Sequence, residues 1–248
     1  MYKQTKIDTA FLASLFTATI SLTTPSVVDA QDKTVQISKD SILGVAYIDS
    51  KHESRDVFFE EYFPQVLPAM EAAGAKVLAK FETIDVEEGD LTPQYILLIE
   101  WPSIAAFETA VQDSRSKQYL PLRQNALRDF RIGFFNVPED TTMTFKEDVV
   151  YEWFGGTPAS PETPQLLQTF FQNVIPTSLE YGRADALQLQ PIEYEKNTHF
   201  RPIAGLATWP TAADFEQFTN TDVFRENIEK YRNPAFNELE LINTYFVE

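Results

Sequence analysis

Glu100 is the carboxylate most suggestive of chemistry. It interrupts the apolar run Tyr95–Trp101 (YILLIEW), on the face opposite Leu97, Ile99 and Trp101. If that face lines an apolar cavity, the carboxyl group gains proton affinity and can act as a general acid or base. The plainer role is a strand-end carboxylate paired with a basic neighbour, and structural ion pairs are the commoner case. Arg123 and Arg232 recur 109 residues apart. Each can hold a carboxylate or phosphate through two parallel hydrogen bonds, or cap a helix C-terminus. Tyr47, Tyr151 and Trp153 can line a cavity and stack on a flat ligand, or simply pack in a core. His52 and His199 are the only histidines. Either suits a general base or an axial haem ligand, although a lone loop histidine is usually solvated.

Several other chemistries find no support. Asp85, Glu87, Glu88 and Asp90 crowd one turn without the spacing that places oxygens around calcium. There is no phosphate-binding glycine loop, nucleophile elbow or H-E-x-x-H pattern. Cysteine is absent, which excludes disulfides, thiolate metal sites, iron–sulfur clusters and a cysteine nucleophile. No metal and no other cofactor is expected. A net charge of −17 would repel a nucleic-acid backbone. The excess is uneven: residues 31–138 carry −6 and residues 139–248 carry −11, so anionic ligands are disfavoured near the second half.

The elements that must position these residues begin after a distinct N-terminus. Lys3 and Lys6, the 13-residue apolar run Ala10–Leu22, and the small residues of Val28-Asp29-Ala30 form the three-part pattern of a signal peptide over residues 1–30. The run is shorter than the roughly 20 residues that span a bilayer. The mature product is expected in a periplasm or outside the cell, with no stable membrane insertion.

The remaining chain reads as one unit written twice. At a shift of 108, residues 66–108 match residues 174–216 at 11 of 43 positions without a gap. About 2–3 matches are expected by chance. Gly74 falls on Gly182, and Trp101-Pro102 on Trp209-Pro210. The units run over residues 42–137 and 149–247, joined by a polar linker, Pro138–Thr144 (PEDTTMT). In the first unit, Ile42–Ile48 reads as a strand. Phe58, Tyr62, Val66, Met70 and Ala73 are spaced as one face of a helix over Glu53–Gly74. Val77, Ala79, Phe81 and Thr83 alternate as a half-buried strand, and Tyr95–Trp101 follows as another. Ser103 caps a helix to about Gln112, Arg115–Leu127 reads as helix, and Phe130–Val137 closes as a strand. Pro68 and Pro176 fall inside the first helix of each unit and predict a bend there.

This order is β-α-β-β-α-β, the ferredoxin-like unit. Helices cover one face of its sheet, and the other face is too apolar to meet water. The fold class is therefore α+β: two tandem ferredoxin-like units packed sheet to sheet as a pseudo-dimeric α/β barrel.

Three segments carry a family resemblance: Glu88-Gly89-Asp90, Ile99-Glu100-Trp101-Pro102-Ser103 and Leu120-Pro121-Leu122-Arg123-Gln124. They resemble domain of unknown function 1330, of the dimeric α/β barrel superfamily, which also holds cofactor-free monooxygenases, lactone isomerases and haem-binding relatives. Its members are usually single units that dimerise, so the resemblance implies a fused dimer. Lys196-Asn197 and Thr208 replace Glu88-Gly89 and Glu100 in the second unit. A site that needs those residues would be single. The family carries no agreed activity.

The functional expectation is an exported barrel that binds a small, largely apolar molecule between its sheets. One rival is a cofactor-independent enzyme, monooxygenase- or isomerase-like, with Glu100 as acid or base. Another is a structural or partner-binding module. A monomer and a homo-oligomer fit the sequence equally.

Overall fold

The computed structural model describes residues 32–51, 56–195 and 198–247. The signal-peptide pattern of residues 1–30 and His52 lie outside the described residues.

Alternating apolar residues build eight strands into a closed antiparallel barrel. The first unit supplies β2 (Ile42–Ser50), β3 (Lys76–Glu88), β4 (Tyr95–Trp101) and β5 (Leu127–Asn136). The second supplies β7 (Val150–Pro158), β8 (Ala184–Pro191), β9 (Ile203–Trp209) and β10 (Phe236–Val247). Around the barrel the order is β10-β3-β4-β2-β5-β8-β9-β7. Each unit thus runs second, third, first, fourth strand, the ferredoxin-like order. Two seams join the units. One is long, with β10 paired to β3 from Leu241–Glu88 to Val247–Lys80. The other is short, with β5 meeting β8 only at Phe135–Pro191 and Asn136–Gln190.

Helices cover the outside. In the first unit a π-helical turn (Val57–Tyr62) leads into α1 (Phe63–Ala72), and α2 (Ile104–Gln112) and α3 (Ser114–Ala126) follow β4. In the second unit these places are taken by α4 (Thr163–Glu180), α5 (Ala212–Thr219) and α6 (Asp222–Asn227). A π-helical turn (Ile228–Arg232) and the short α7 (Asn233–Ala235) then lead to β10. Pro68 and Pro176 both lie within helices. The Ser103 hydroxyl accepts from Ala106 N–H at 3.1 Å, and Thr211 accepts from Asp214 N–H at 3.1 Å, so α2 and α5 are capped alike.

The repeat shift recurs in the element bounds. β2 and β7 are offset by 108 residues at both ends, as are β4 and β9. Gly74 and Gly182 end the first long helices with φ of 86° and 80°. Glycine accepts this left-handed backbone without penalty. A Cβ would also sit 2.8 Å from the Pro102 ring and 2.5 Å from the Pro210 ring. The repeated glycine and Trp-Pro pair are therefore one packing device used twice.

The segment read as a linker is a correction. Thr141–Phe145 forms β6, which pairs antiparallel with β1 (Lys33–Ile37), again at an offset of 108. Threonines disguised the strand: Met143 and Phe145 point into the core, while Thr142 and Thr144 face out. This ribbon packs Ile37, Met143 and Phe145 onto the barrel interior.

Three apolar clusters result. One fills the barrel around Phe81, whose ring meets Phe145, Tyr151, Trp153 and Phe246 at 5.1–6.1 Å between centroids. The other two lie between the sheet and the helices of each unit. Each fully buried aromatic or aliphatic side chain contributes about 1.5–3 kcal/mol. Among the described residues, no helix is long and apolar enough to cross a membrane.

Candidate functional site

The inward faces hold two of the sequence candidates as core. Tyr151 and Trp153 are buried in the aromatic cluster around Phe81 rather than set along an open space. The Tyr151 hydroxyl accepts from Lys146 N–H at 2.7 Å, and burial pushes its phenol up to about 12. Trp153 Nε1–H donates to Thr244 Oγ1 at 3.1 Å. This filling corrects the expectation of open space between the sheets at that end of the barrel.

Glu100 faces the barrel, as the alternation requires, but it is engaged. Its carboxylate accepts from Ser38 N–H at 2.7 Å and from Lys76 Nζ at 2.9 Å. Burial pushes the carboxyl group up, yet the Lys76 and Ser38 hydrogen bonds outweigh it and hold the group below the usual range. An unpartnered carboxylate in an apolar cavity would shift the other way. Glu100 therefore ties β4 to β3 and to the turn after β1.

The upper end of the barrel holds a polar cluster that the sequence reading did not assemble. His199 reaches in from the segment between β8 and β9, its ring 4.4 Å from that of Tyr47. His199 Nε2 lies 2.8 Å from Glu240 Oε2, and Arg201 Nη2 donates to Glu240 Oε1 at 2.6 Å. His199 and Glu240 are 3% and 6% exposed. Burial pushes Glu240 up, but His199 and Arg201 hold it below the usual carboxylate range. Burial and the Glu240 charge push the Tyr47 phenol up, against the pull of Arg201. Alternation with Leu239 and Leu241 makes Glu240 read as a solvent-facing residue, and its histidine partner lies 41 positions away in an irregular segment.

Among the described residues, open space lies between sheet and helices. In the first unit a cleft of about 200 Å³ sits beneath α1, α2 and α3, with Trp101, Ile99 and Leu97 as its floor. Arg123 lines it. The guanidinium lies over the Phe130 ring at 4.8 Å, near the Tyr62 hydroxyl. Burial pushes the Tyr62 phenol up, and Arg123 pulls it back. Among the described residues, Arg123 has no carboxylate partner within salt-bridge distance. The corresponding cleft of the second unit is about 90 Å³. The difference follows from the sequence: at the 108 shift, Ala110 and Ser116 become Phe218 and Phe224. Phe218 stacks 5.0 Å from Trp209 and 4.7 Å from Phe224, filling what the first unit leaves open. Arg232 is 8% exposed and pairs with Glu88 at 2.6 Å. Burial pulls its guanidinium down, while Glu88 and then Glu152 oppose the shift.

The acidic residues Asp85, Glu87 and Glu88 lie at the end of β3, where Glu88 crosses the long seam to neutralise Arg232. Among the described residues, no group of three or more His, Asp or Glu side chains could hold a metal.

An eight-stranded barrel of two ferredoxin-like halves with helices outside is the dimeric α/β barrel fold. The comparisons agree. Residues 47–132 match the family model described as Domain of unknown function (DUF1330). That match spans most of the first unit and leaves the second outside it. No curated protein matches the chain. Among solved structures, the chain is similar to an anthrone oxidase-like protein, at 12% identity and a TM-score of 0.50, covering 87% of this chain and 94% of that one. It is also similar to a mutant chlorite dismutase from Candidatus Nitrospira defluvii, at 7% identity, TM-score 0.49, and 84% and 92% coverage. A protein of unknown function from Rhodopseudomonas palustris aligns at 18% identity and TM-score 0.36, covering 40% of this chain and 83% of that one. At 12% identity the likeness to the anthrone oxidase-like protein is one of fold.

Proposed function

We propose that this protein binds a small, largely apolar molecule in the first unit's cleft, between the outer sheet face and α1, α2 and α3. One observation carries the reading: Ala110 and Ser116 leave wide the space that Phe218 and Phe224 narrow in the second unit. Cavities in a protein interior are costly, on the order of 24 cal/mol per Å³ in core-truncation series. A wide cleft beside a narrower counterpart suits a ligand. We propose further that the two units arose by tandem duplication, and that the pattern of residues 1–30 exports the chain.

Native mass spectrometry of protein purified from its own host tests the binding. A retained small molecule is expected on the wild type and not on Ala110→Phe. Equal retention by both proteins would overturn the location, and retention by neither would overturn the binding.

A second reading, acid–base catalysis without a metal or organic cofactor, draws support from His199. A histidine oriented by a buried carboxylate is the arrangement that sets a general base. On this reading Glu100 holds structure, and His199 beside Tyr47 carries the proton. His199→Asn would then abolish turnover of any substrate found while leaving ligand retention intact. Unchanged turnover would exclude that role.

A further inference from the structure

The second unit shows what the first unit's cleft lacks. Trp209 Nε1–H donates to Glu152 Oε2 at 2.7 Å. The same Glu152 carboxylate lies close enough to Arg232 to oppose the fall in its proton affinity. Glu152 therefore satisfies the indole N–H at the cleft floor, while Glu88 pairs with the arginine at its wall.

At the 108 shift, Glu152 becomes Gly44. Trp101, the counterpart of Trp209, is 2% exposed, and its Nε1 has no hydrogen-bond partner among the described residues. Among the described residues, Arg123, the counterpart of Arg232, likewise has no carboxylate within salt-bridge distance. The glycine, the bare indole N–H and the arginine without an acid all border or line the same cleft. Buried polar donors are rarely left without acceptors, because the lost hydration is not recovered. In the second unit Glu152 satisfies the indole and Glu88 pairs with the arginine. The first unit has both deficits, and it has the larger space.

We propose that the first unit's cleft takes an apolar monocarboxylate, whose carboxylate occupies the place that Glu152 holds in the second unit and accepts from Trp101 Nε1 and Arg123. The inference rests on the cleft reading above and adds the ligand's chemical class. The lower negative charge of the first half, −6 against −11, favours an anion there.

The test compares 4-phenylbutyrate with its uncharged twin, 4-phenylbutanol, by calorimetric titration at constant pH. The wild type is expected to bind the carboxylate about tenfold or more tighter than the alcohol, as a charge-assisted contact in a dry site requires. Arg123→Gln and Trp101→Phe should each reduce that preference while alcohol binding persists, which also shows that the cleft still folds. Gly44→Glu supplies an internal carboxylate and should abolish the preference. A Cβ at residue 44 would stand 3.1 Å from Trp101 Nε1, so the indole must give by a few tenths of an ångström. Equal affinity for the two probes in the wild type would overturn the carboxylate inference and leave the cleft reading standing. Binding of neither would overturn both. A preference that survives Arg123→Gln would remove the arginine from the site.

Discussion

His199 Nε2 and Glu240 Oε2 meet at 2.8 Å inside the barrel, joining the short seam to the last strand of the second unit. Arg201 completes the charge balance at 2.6 Å from the other carboxylate oxygen. Without the Glu240 charge, Arg201 keeps Glu238, at 3.1 Å, and His199 loses this carboxylate partner; a buried group that loses its partner costs about 1–3 kcal/mol. Glu240→Gln should lower unfolding stability at neutral pH by a few kcal/mol, read from urea denaturation. The pH dependence has a definite sign. The folded Glu240 carboxyl lies below its ordinary value, so its stabilisation is present above that value and lost as pH falls through the folded one. Wild-type stability should therefore drop below about pH 4.5, and Glu240→Gln should lack part of that drop. Parallel pH profiles would contradict the assignment.

Gly74 and Gly182 should be equally intolerant of alanine. Each combines a positive φ with a proline ring where a Cβ would stand. A cost above about 1 kcal/mol is expected at either site, because backbone strain and the clash add. Thermal melts of the two single variants measure it. A neutral substitution at either position would show that the helix end can relax away from the proline.

Glu100→Gln is expected to weaken the fold without touching the cleft. The amide keeps an acceptor for Ser38 N–H but loses the charge that holds Lys76. Lys76 is 63% exposed in its side chain, so the ion pair adds little. A loss of about 1 kcal/mol is expected, mainly from the charge-assisted bond to Ser38. Calorimetric melting should detect it, with retention of the bound molecule unchanged. Loss of retention would bring Glu100 back into the site.

Much of the architecture was legible because the repeat repeats its hardest constraints. Gly74 and Trp101-Pro102 recur as Gly182 and Trp209-Pro210, and both sets perform the same packing. Alternation along Tyr95–Trp101 also placed Glu100 on the inward face. It could not say that Ser38 and Lys76 would meet it there, since both arrive from other segments. The strand Thr141–Phe145 was hidden because threonine reads as loop chemistry when its apolar alternates are only Met143 and Phe145. The wide cleft of the first unit was hidden for a related reason. Periodicity tells which side chains share a face, but not which face is left incompletely filled. That depends on differences between the units, such as Ala110 against Phe218 and Gly44 against Glu152, whereas the search for a repeat attends to what is shared.

The asymmetry of the two clefts is tested most directly by the stoichiometry of a neutral apolar probe. Titration of N-phenyl-1-naphthylamine, followed by its fluorescence, should give one site per wild-type chain. The Ala110→Phe/Ser116→Phe double variant, which copies the second unit's side chains into the first, should give none and melt no lower than the wild type. Two equivalent sites in the wild type, or one site that survives the double substitution, would contradict the account.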